Sequence, residues 1–165
     1  MAMISRHFSI EEVLRSSQPY TNEVSQVLRY GHIVTPEAIR QNVARLGSTI
    51  LDQLSDQFGG WGISSWYRSP RVNAAVGGAS NSAHLVGLAA DGHPLHGSFA
   101  EAIEWIGESM LPFDRVIYEV RGSTKWLHVQ AAEQGAAPAR VFYASPKGGI
   151  YTIATSAALA AVASQ

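Results

Sequence analysis

The sequence predicts an α+β fold in which N-terminal helices pack on a small antiparallel sheet. Two observations support this: capping patterns and helical spacing of apolar residues dominate the first part of the chain, and short apolar segments separated by turn residues dominate the rest. The 165 residues suffice for one domain with its own core. We expect residues 1–150 to form that domain and residues 151–165 to form an Ala-rich C-terminal tail, either flexible or docked on a partner as a helix.

The first two predicted helices are marked by their N-terminal signals. Ser9 and Glu12 have the spacing of a capping box, which predicts a short first helix. Thr35 before Pro36 predicts the start of the longest helix, which Gly59 ends. Apolar residues recur at helical spacing along it, at Ile39, Val43, Leu46, Ile50 and Leu54. Residues 16–34, before this helix, are predicted as a loop.

The remaining elements are a third helix and a series of strands. Ser98 and Glu101 form a second capping box, and Pro112 ends the helix that follows. The Gly- and Asn-rich stretch after Pro70 is predicted as a structured loop. Segments rich in apolar, β-branched and aromatic residues predict strands at 61–67, 88–92, 114–120, 125–130 and 140–144. Turn residues at 121–123 and 146–149 separate the last of them.

Composition excludes several classes of function. The formal net charge is -1, so we expect neither nucleic acid nor an anionic membrane as a partner. No segment has the length and continuity of a membrane span. The N-terminus lacks the pattern of a signal peptide, so we expect synthesis in the cytoplasm. Because the chain has no cysteine, a metal site would have to use His, Asp or Glu.

Three residues form a candidate metal site. His84 and Asp91 are separated by six residues, and His128 lies in a predicted strand. Two imidazoles and a carboxylate are a typical hydrolytic zinc set, which leaves a fourth position open for water. Gly87 would let the chain turn between the first two ligands. Spacing alone also fits three unrelated residues. His93 and His96 could form a second site, but the preferred interpretation is a loop role.

The residues around these ligands carry a family resemblance. Residues 82–91 match the pattern Ser-x-His-x-x-Gly-x-Ala-x-Asp at every fixed position. On this segment the chain resembles the zinc D-Ala-D-Ala carboxypeptidase and L-alanyl-D-glutamate endolysin family of metallopeptidases, in its short single-domain branch. The resemblance covers residues 7–129. It also rests on four further segments similar to those of the family, at 7–12, 64–73, 113–119 and 126–129.

The resemblance implies a hedgehog/DD-peptidase-like fold and a zinc ion held by His84, Asp91 and His128. It implies that Arg68 faces the substrate, where a guanidinium can pair with a peptide carboxylate; a solvated surface charge is the alternative. Ser82 either contacts substrate or holds His84, and its alternative role is to cap a turn.

The general base departs from the family pattern. Many relatives carry Asp or Glu three residues before the last histidine ligand, where this chain has Lys125. If segments 114–120 and 125–130 form a hairpin, Glu119 lies opposite Trp126 and close to the metal ligands. Glu119 is therefore the predicted catalytic residue, and a surface charge near a turn is the alternative.

These inferences lead to one principal hypothesis and two alternatives. The principal one is a zinc peptidase that hydrolyses peptidoglycan stem peptides, of D,D-carboxypeptidase or L-Ala-D-Glu endopeptidase type, encoded by a phage and carried in the virion or delivered to the cell wall. Lys125 motivates an alternative, a virion structural or assembly protein that has virion proteins as partners and keeps the fold with little activity. The other alternative is a zinc-dependent module that binds cell-wall peptides without cleaving them.

Overall fold

The computed structural model describes residues 1–145, 149–153 and 155–165. In these ranges the helices are α1 (Ile10–Val13), α2 (Pro36–Leu46), α3 (Asp52–Gln57), α4 (Pro70–Ala75), α5 (Phe99–Glu108) and α6 (Ser156–Ala163). The strands are β1 (Val27–Arg29), β2 (His32–Val34), β3 (Trp61–Ser65), β4 (Ala89–Pro94), β5 (Phe113–Arg121), β6 (Thr124–Ala131), β7 (Val141–Ser145) and β8 (Tyr151–Ile153). None of these helices has the length and apolar character needed to cross a membrane.

The sheet has the strand order β3-β4-β6-β5-β7-β8. Its strands alternate between a buried apolar face and a face that carries the polar residues. On β5, for example, Val116 and Tyr118 are in the core, whereas Glu119 faces the other way and is partly exposed. The α+β fold predicted from the sequence is confirmed.

One strand pairing differs from the antiparallel sheet that the sequence predicts. Strand β7 pairs with β5 in parallel, although the other neighbouring strands of this sheet are antiparallel. Strand β6 already has β4 and β5 on its two sides, so the next strand has to join at an outer edge of the sheet, and it joins at that of β5. Residues 132–140 carry the chain there, and Arg140 anchors them by donating to the carbonyl oxygens of Leu111 and Ser109.

The long helix predicted after Thr35 is continuous, but it is not a regular α-helix. A π-helical turn (Gly47–Leu51) lies between α2 and α3. The hydroxyl groups of Ser48 and Thr49 donate to the carbonyl oxygens of Ala44 and Arg45, at 2.8 and 2.7 Å. Such bonds compete with the backbone ladder and are associated with helix distortion. The apolar stripe nevertheless lies in the core, as the helical spacing predicted.

The sequence did not predict a β-hairpin and a short helix, and the loops predicted in their place are wrong in part. The predicted loop 16–34 contains the hairpin of β1 and β2, which turns at Tyr30 and Gly31, both with positive φ (49° and 78°). The predicted loop after Pro70 begins with α4, which Ser69 caps. Its Ser-Pro start has the same form as the Thr35-Pro36 start that identified α2.

The C-terminal segment belongs structurally to this chain's own core. Strand β8 pairs with β7, and α6 packs against α5. Leu159 is fully buried at this contact. Gly107 of α5 faces Ser156, and a Cβ at residue 107 would lie 2.0 Å from the Ser156 hydroxyl oxygen. The turn predicted at 146–149 falls mostly on residues 146–148, which lie outside the described residues.

The packing of α6 predicts that Leu159→Ala destabilises the whole protein. Removing a fully buried leucine side chain leaves a cavity, and we expect the free energy of unfolding to fall by about 2–4 kcal/mol. Urea unfolding followed by circular dichroism measures the change. Ala161→Ser, on the exposed side of the same helix, is the control. A loss below about 0.5 kcal/mol, typical of surface substitutions, would show that α6 does not pack on the core.

Candidate metal centre

Strand pairing places two of the three predicted ligands side by side. Asp91 on β4 is the register partner of His128 on β6. Residues directly opposite each other on antiparallel strands point to the same face, so both side chains project from the polar face of the sheet. Both are buried, with 5% and 9% of their surface exposed.

His84 comes from the 3₁₀ turn (Ala83–Val86) that precedes β4. The turn ends at Gly87, whose φ of 72° is left-handed. A Cβ at Gly87 would lie 2.5 Å from a methyl group of Val43, so glycine is required there for packing as well as for conformation. The short turn brings the imidazole of His84 beside Asp91.

The three ligand atoms form a nearly equilateral triangle. The separations are 3.2 Å from His84 Nε2 to His128 Nδ1, 3.3 Å from His84 Nε2 to Asp91 Oδ1, and 3.1 Å from His128 Nδ1 to Asp91 Oδ1. Tetrahedral ligands at about 2.0–2.1 Å from a zinc ion lie about 3.3–3.4 Å apart. The triangle therefore has the size of a three-ligand metal site.

Each ligand is held by a further contact on its other side. The carbonyl oxygen of Trp66 lies 2.6 Å from His84 Nδ1. Since a carbonyl only accepts, Nδ1 carries the proton and Nε2 directs a lone pair to the centre. The amide oxygen of Gln130 lies 3.3 Å from His128 Nε2. In the neutral imidazole the proton is therefore on Nε2, and the lone pair of Nδ1 faces the centre. Arg68 donates from Nη2 to Asp91 Oδ2 at 2.7 Å, which leaves Oδ1 for the metal.

The charges of the site match a cation. Burial lowers the pKa of His84, which favours the neutral form that binds a metal. Burial alone would raise the pKa of Asp91, but the adjacent His84 and His128 hold it well below its usual range. Burial opposes protonation of His128 as well, yet its hydrogen bond to Asp91 and the charge of that carboxylate raise its pKa overall, so a metal ion at Nδ1 would have to replace a proton. Asp91 therefore keeps its negative charge among the two imidazoles.

Arg68 and Ser82 both line the cavity at this site. The Arg68 guanidinium is committed to protein contacts through Nη2, to Asp91, and through Nε, which donates to Ser65 Oγ at 2.9 Å. Ser82 caps the 3₁₀ turn, because its Oγ accepts from the backbone N–H of His84 at 3.3 Å. This single contact fits two of the roles predicted for Ser82, which are to cap a turn and to hold His84. A contact of either residue with substrate stays a prediction.

Glu119, the predicted general base, and Lys125, which stands where many relatives carry an acid, lie on different faces of the sheet. Glu119 is the register partner of Trp126, as the hairpin predicted, and lines the cavity together with the three ligands. Lys125, three residues before His128, has the opposite parity along β6 and does not line that cavity. Burial, followed by the charge of Asp91, raises the pKa of Glu119.

The cavity has a volume of about 350 Å³ and a basic wall that the sequence analysis did not identify. Four arginines line it, at positions 29, 68, 115 and 121, against two acidic residues, Asp91 and Glu119. Arg115 and Arg121 share the parity of Glu119 along β5, so strand alternation alone could have found them. His93 and His96 are exposed and do not join the metal group.

The sequence of the region that forms this site matches a known family. Residues 6–130 match the family model described as Peptidase M15. The chain belongs to the peptidase M15 family. The match includes all three ligands and the cavity residues on β5 and β6. No curated protein matches the chain. Membership of the M15 family implies a hydrolase that acts on a peptide, and M15 peptidases typically depend on a metal.

The geometry predicts that this M15 peptidase binds one divalent transition-metal ion per chain and is stabilised by it. At a free metal concentration about 1,000 times the Kd, the free energy of unfolding should rise by about 4 kcal/mol. Elemental analysis measures the stoichiometry, and thermal melts with and without a chelator measure the stabilisation.

A matched pair of variants tests where the ion binds. His128→Ala should lose the metal and the effect of the chelator, whereas His93→Ala, which removes an exposed histidine on β4, should keep both. Equal metal content in the two variants would exclude the triangle of His84, Asp91 and His128 as the site.

Proposed function

We propose that this M15 peptidase uses a zinc ion, held by His84, Asp91 and His128, to hydrolyse peptide bonds in peptidoglycan stem peptides. The observation that carries the proposal is the convergence of three lone-pair atoms, 3.1–3.3 Å apart, in a cavity that Glu119 also lines. Two nitrogens and a carboxylate oxygen are ligands that zinc prefers, and a three-residue set is typical of catalytic rather than structural zinc. When bound, zinc supplies a Lewis acid that lowers the pKa of water to about 7 and polarises a carbonyl.

Glu119 is the residue that moves the proton in this proposal. It faces the ligands from the neighbouring strand, where a carboxylate can take a proton from the attacking water and give it to the leaving amine. The shift brings the pKa of the Glu119 carboxyl closer to neutral pH, which suits a group that must accept and then release a proton. Lys125 points away from the ligands and takes no part.

The arginines of the cavity favour an acidic peptide as substrate. In a D-Ala-D-Ala terminus and in an L-Ala-γ-D-Glu linkage alike, the residue after the scissile bond carries a free α-carboxylate. A guanidinium pairs well with such a group. Arg68, next to Asp91, is placed to contribute Nη1, which has no hydrogen-bond partner among the described residues. Ser82, on the same wall, is the second candidate for substrate contact.

The proposal predicts that the zinc-loaded protein releases new amine termini from purified peptidoglycan. Mass spectrometry of the fragments identifies the bond: loss of a single D-Ala indicates a D,D-carboxypeptidase, and a freed D-Glu amine indicates an L-Ala-D-Glu endopeptidase. Binding of the polymer without any new amine would support the cell-wall-binding module. The absence of both would leave the virion structural protein as the alternative.

The role of Glu119 predicts a large loss of activity in Glu119→Gln with the metal retained. Removing a general base typically costs about 10²–10⁴ in kcat. Glutamine keeps the shape of the side chain, so zinc content by elemental analysis should match that of the wild type. Lys125→Gln is the matched control and should retain full activity. The reverse pattern, an inactive Lys125→Gln beside an active Glu119→Gln, would remove Glu119 from the mechanism.

A further inference from the structure

Arg115 lines the cavity, and its guanidinium has a nitrogen for which the described residues provide no hydrogen-bond acceptor. It lies on the polar face of β5, and its Nε is buried without a hydrogen-bond partner among the described residues. Asp114 Oδ2 forms a long ion pair with that nitrogen, at 3.7 Å, which is beyond hydrogen-bond distance. The side chain as a whole is 42% exposed, so its guanidinium is accessible to a ligand in the cavity.

The other arginines of the cavity differ from Arg115 in their partners or their position. Arg29 is paired with Glu133, and Arg68 is paired with Asp91. Arg121 is exposed at the end of β5, with its guanidinium 6.0 Å from the centre of the Trp126 ring. Of the four arginines that line the cavity, Arg115 is the one that has a buried nitrogen without a hydrogen-bond partner among the described residues. The indole Nε1 of Trp126, on the same cavity, is a second such nitrogen, but it carries no charge.

Strand register gives the distance of Arg115 from the metal ligands. Ile117 is the register partner of His128, and Arg115 lies two residues before Ile117 on the same face of β5. Two residues along a strand span about 7 Å, which an arginine side chain can bridge. Glu119 lies two residues after Ile117, so Arg115 and Glu119 are on opposite sides of the ligands.

Tyr143 supports the guanidinium from the neighbouring strand. The Arg115 Cζ atom lies 5.6 Å from the centre of the Tyr143 ring, within the range of a cation–π contact. Tyr143 on β7 is the register partner of Ile117, so β7 contributes to this wall of the cavity. The contact limits the positions that the guanidinium can take without using its hydrogen-bond donors.

We propose that Arg115 is a specificity-determining residue that binds the free carboxylate of the residue following the scissile bond, so that the peptidase selects acids over amides. This inference rests on the proposed function. A carboxylate has two oxygens and can accept from two guanidinium groups, so Arg115 complements the single remaining nitrogen of Arg68. A carboxamide in the same place would present a donor to a donor and lose the charge.

The test uses the peptide L-Ala-γ-D-Glu-L-Lys-D-Ala-D-Ala and two forms of it, one amidated at the D-Glu α-carboxylate and one at the C-terminus. The form that matters is the one amidated on the residue after the bond that the wild type cleaves. We expect a wild-type kcat/KM about 10- to 100-fold higher for the acid than for that amide. Arg115→Gln should lower this ratio severalfold by slowing acid cleavage alone, because Arg68 still offers one donor, and Arg115→Lys should restore part of it.

Arg40→Gln is the control, because it removes a positive charge from the exposed side of α2, outside the cavity, and should keep the full ratio. A wild type without preference, or an Arg115→Gln variant with an unchanged ratio, overturns the proposal. Calorimetric binding of the acid and amide peptides to zinc-loaded wild type and Arg115→Gln gives a second readout that needs no turnover. If no peptide is hydrolysed, the proposed function fails, and the binding ratio of each peptide pair still decides the role of Arg115.

Discussion

The pairing of β4 with β6 is the constraint on which the rest of the site depends. It sets Asp91 directly opposite His128 at the centre of the sheet, where both strands have neighbours on either side. Backbone hydrogen bonds therefore fix the Cα positions of two of the three proposed ligands relative to each other. His84 lies outside these two strands and is positioned instead by the 3₁₀ turn that ends at Gly87. Ligands built on regular elements in this way are held more precisely than ligands on loops.

The buried charge of Asp91 explains why the surroundings of the site are polar. A carboxylate with 5% of its surface exposed is stable only when its charge is compensated. Arg68 compensates one oxygen, and the imidazole side of the site compensates the other. The same pairing with Arg68 restricts the carboxylate to a single oxygen toward the metal. Arg68 thus has a structural role in the site, whatever it contributes to substrate binding.

The sequence predicted which three side chains converge at the candidate metal site better than it predicted the elements around them. His84 and Asp91 were recognisable because they stand in a local motif that resembles a known family. The predicted hairpin then placed Glu119 opposite Trp126 and close to them. The hairpin of β1 and β2 was missed because its strands are three residues each and its turn uses Tyr30 and Gly31 rather than Asn-Gly. The parallel position of β7 was unpredictable for a different reason. It depends on which outer edge of the sheet the chain reaches through residues 132–140, and the residues of β7 themselves do not encode that.

The close contact of Gly107 with Ser156 links two parts of the chain that differ in their relation to the family. Gly107 lies within the stretch that matches the M15 family, whereas Ser156 lies beyond its end at residue 130. A side chain of any size at residue 107 would push α6 off α5. A chain without a helix equivalent to α6 would not be restricted to glycine at this position, whereas a chain that packs a helix there as this one does would be. Across an alignment, glycine here should therefore covary with the presence of the C-terminal helix.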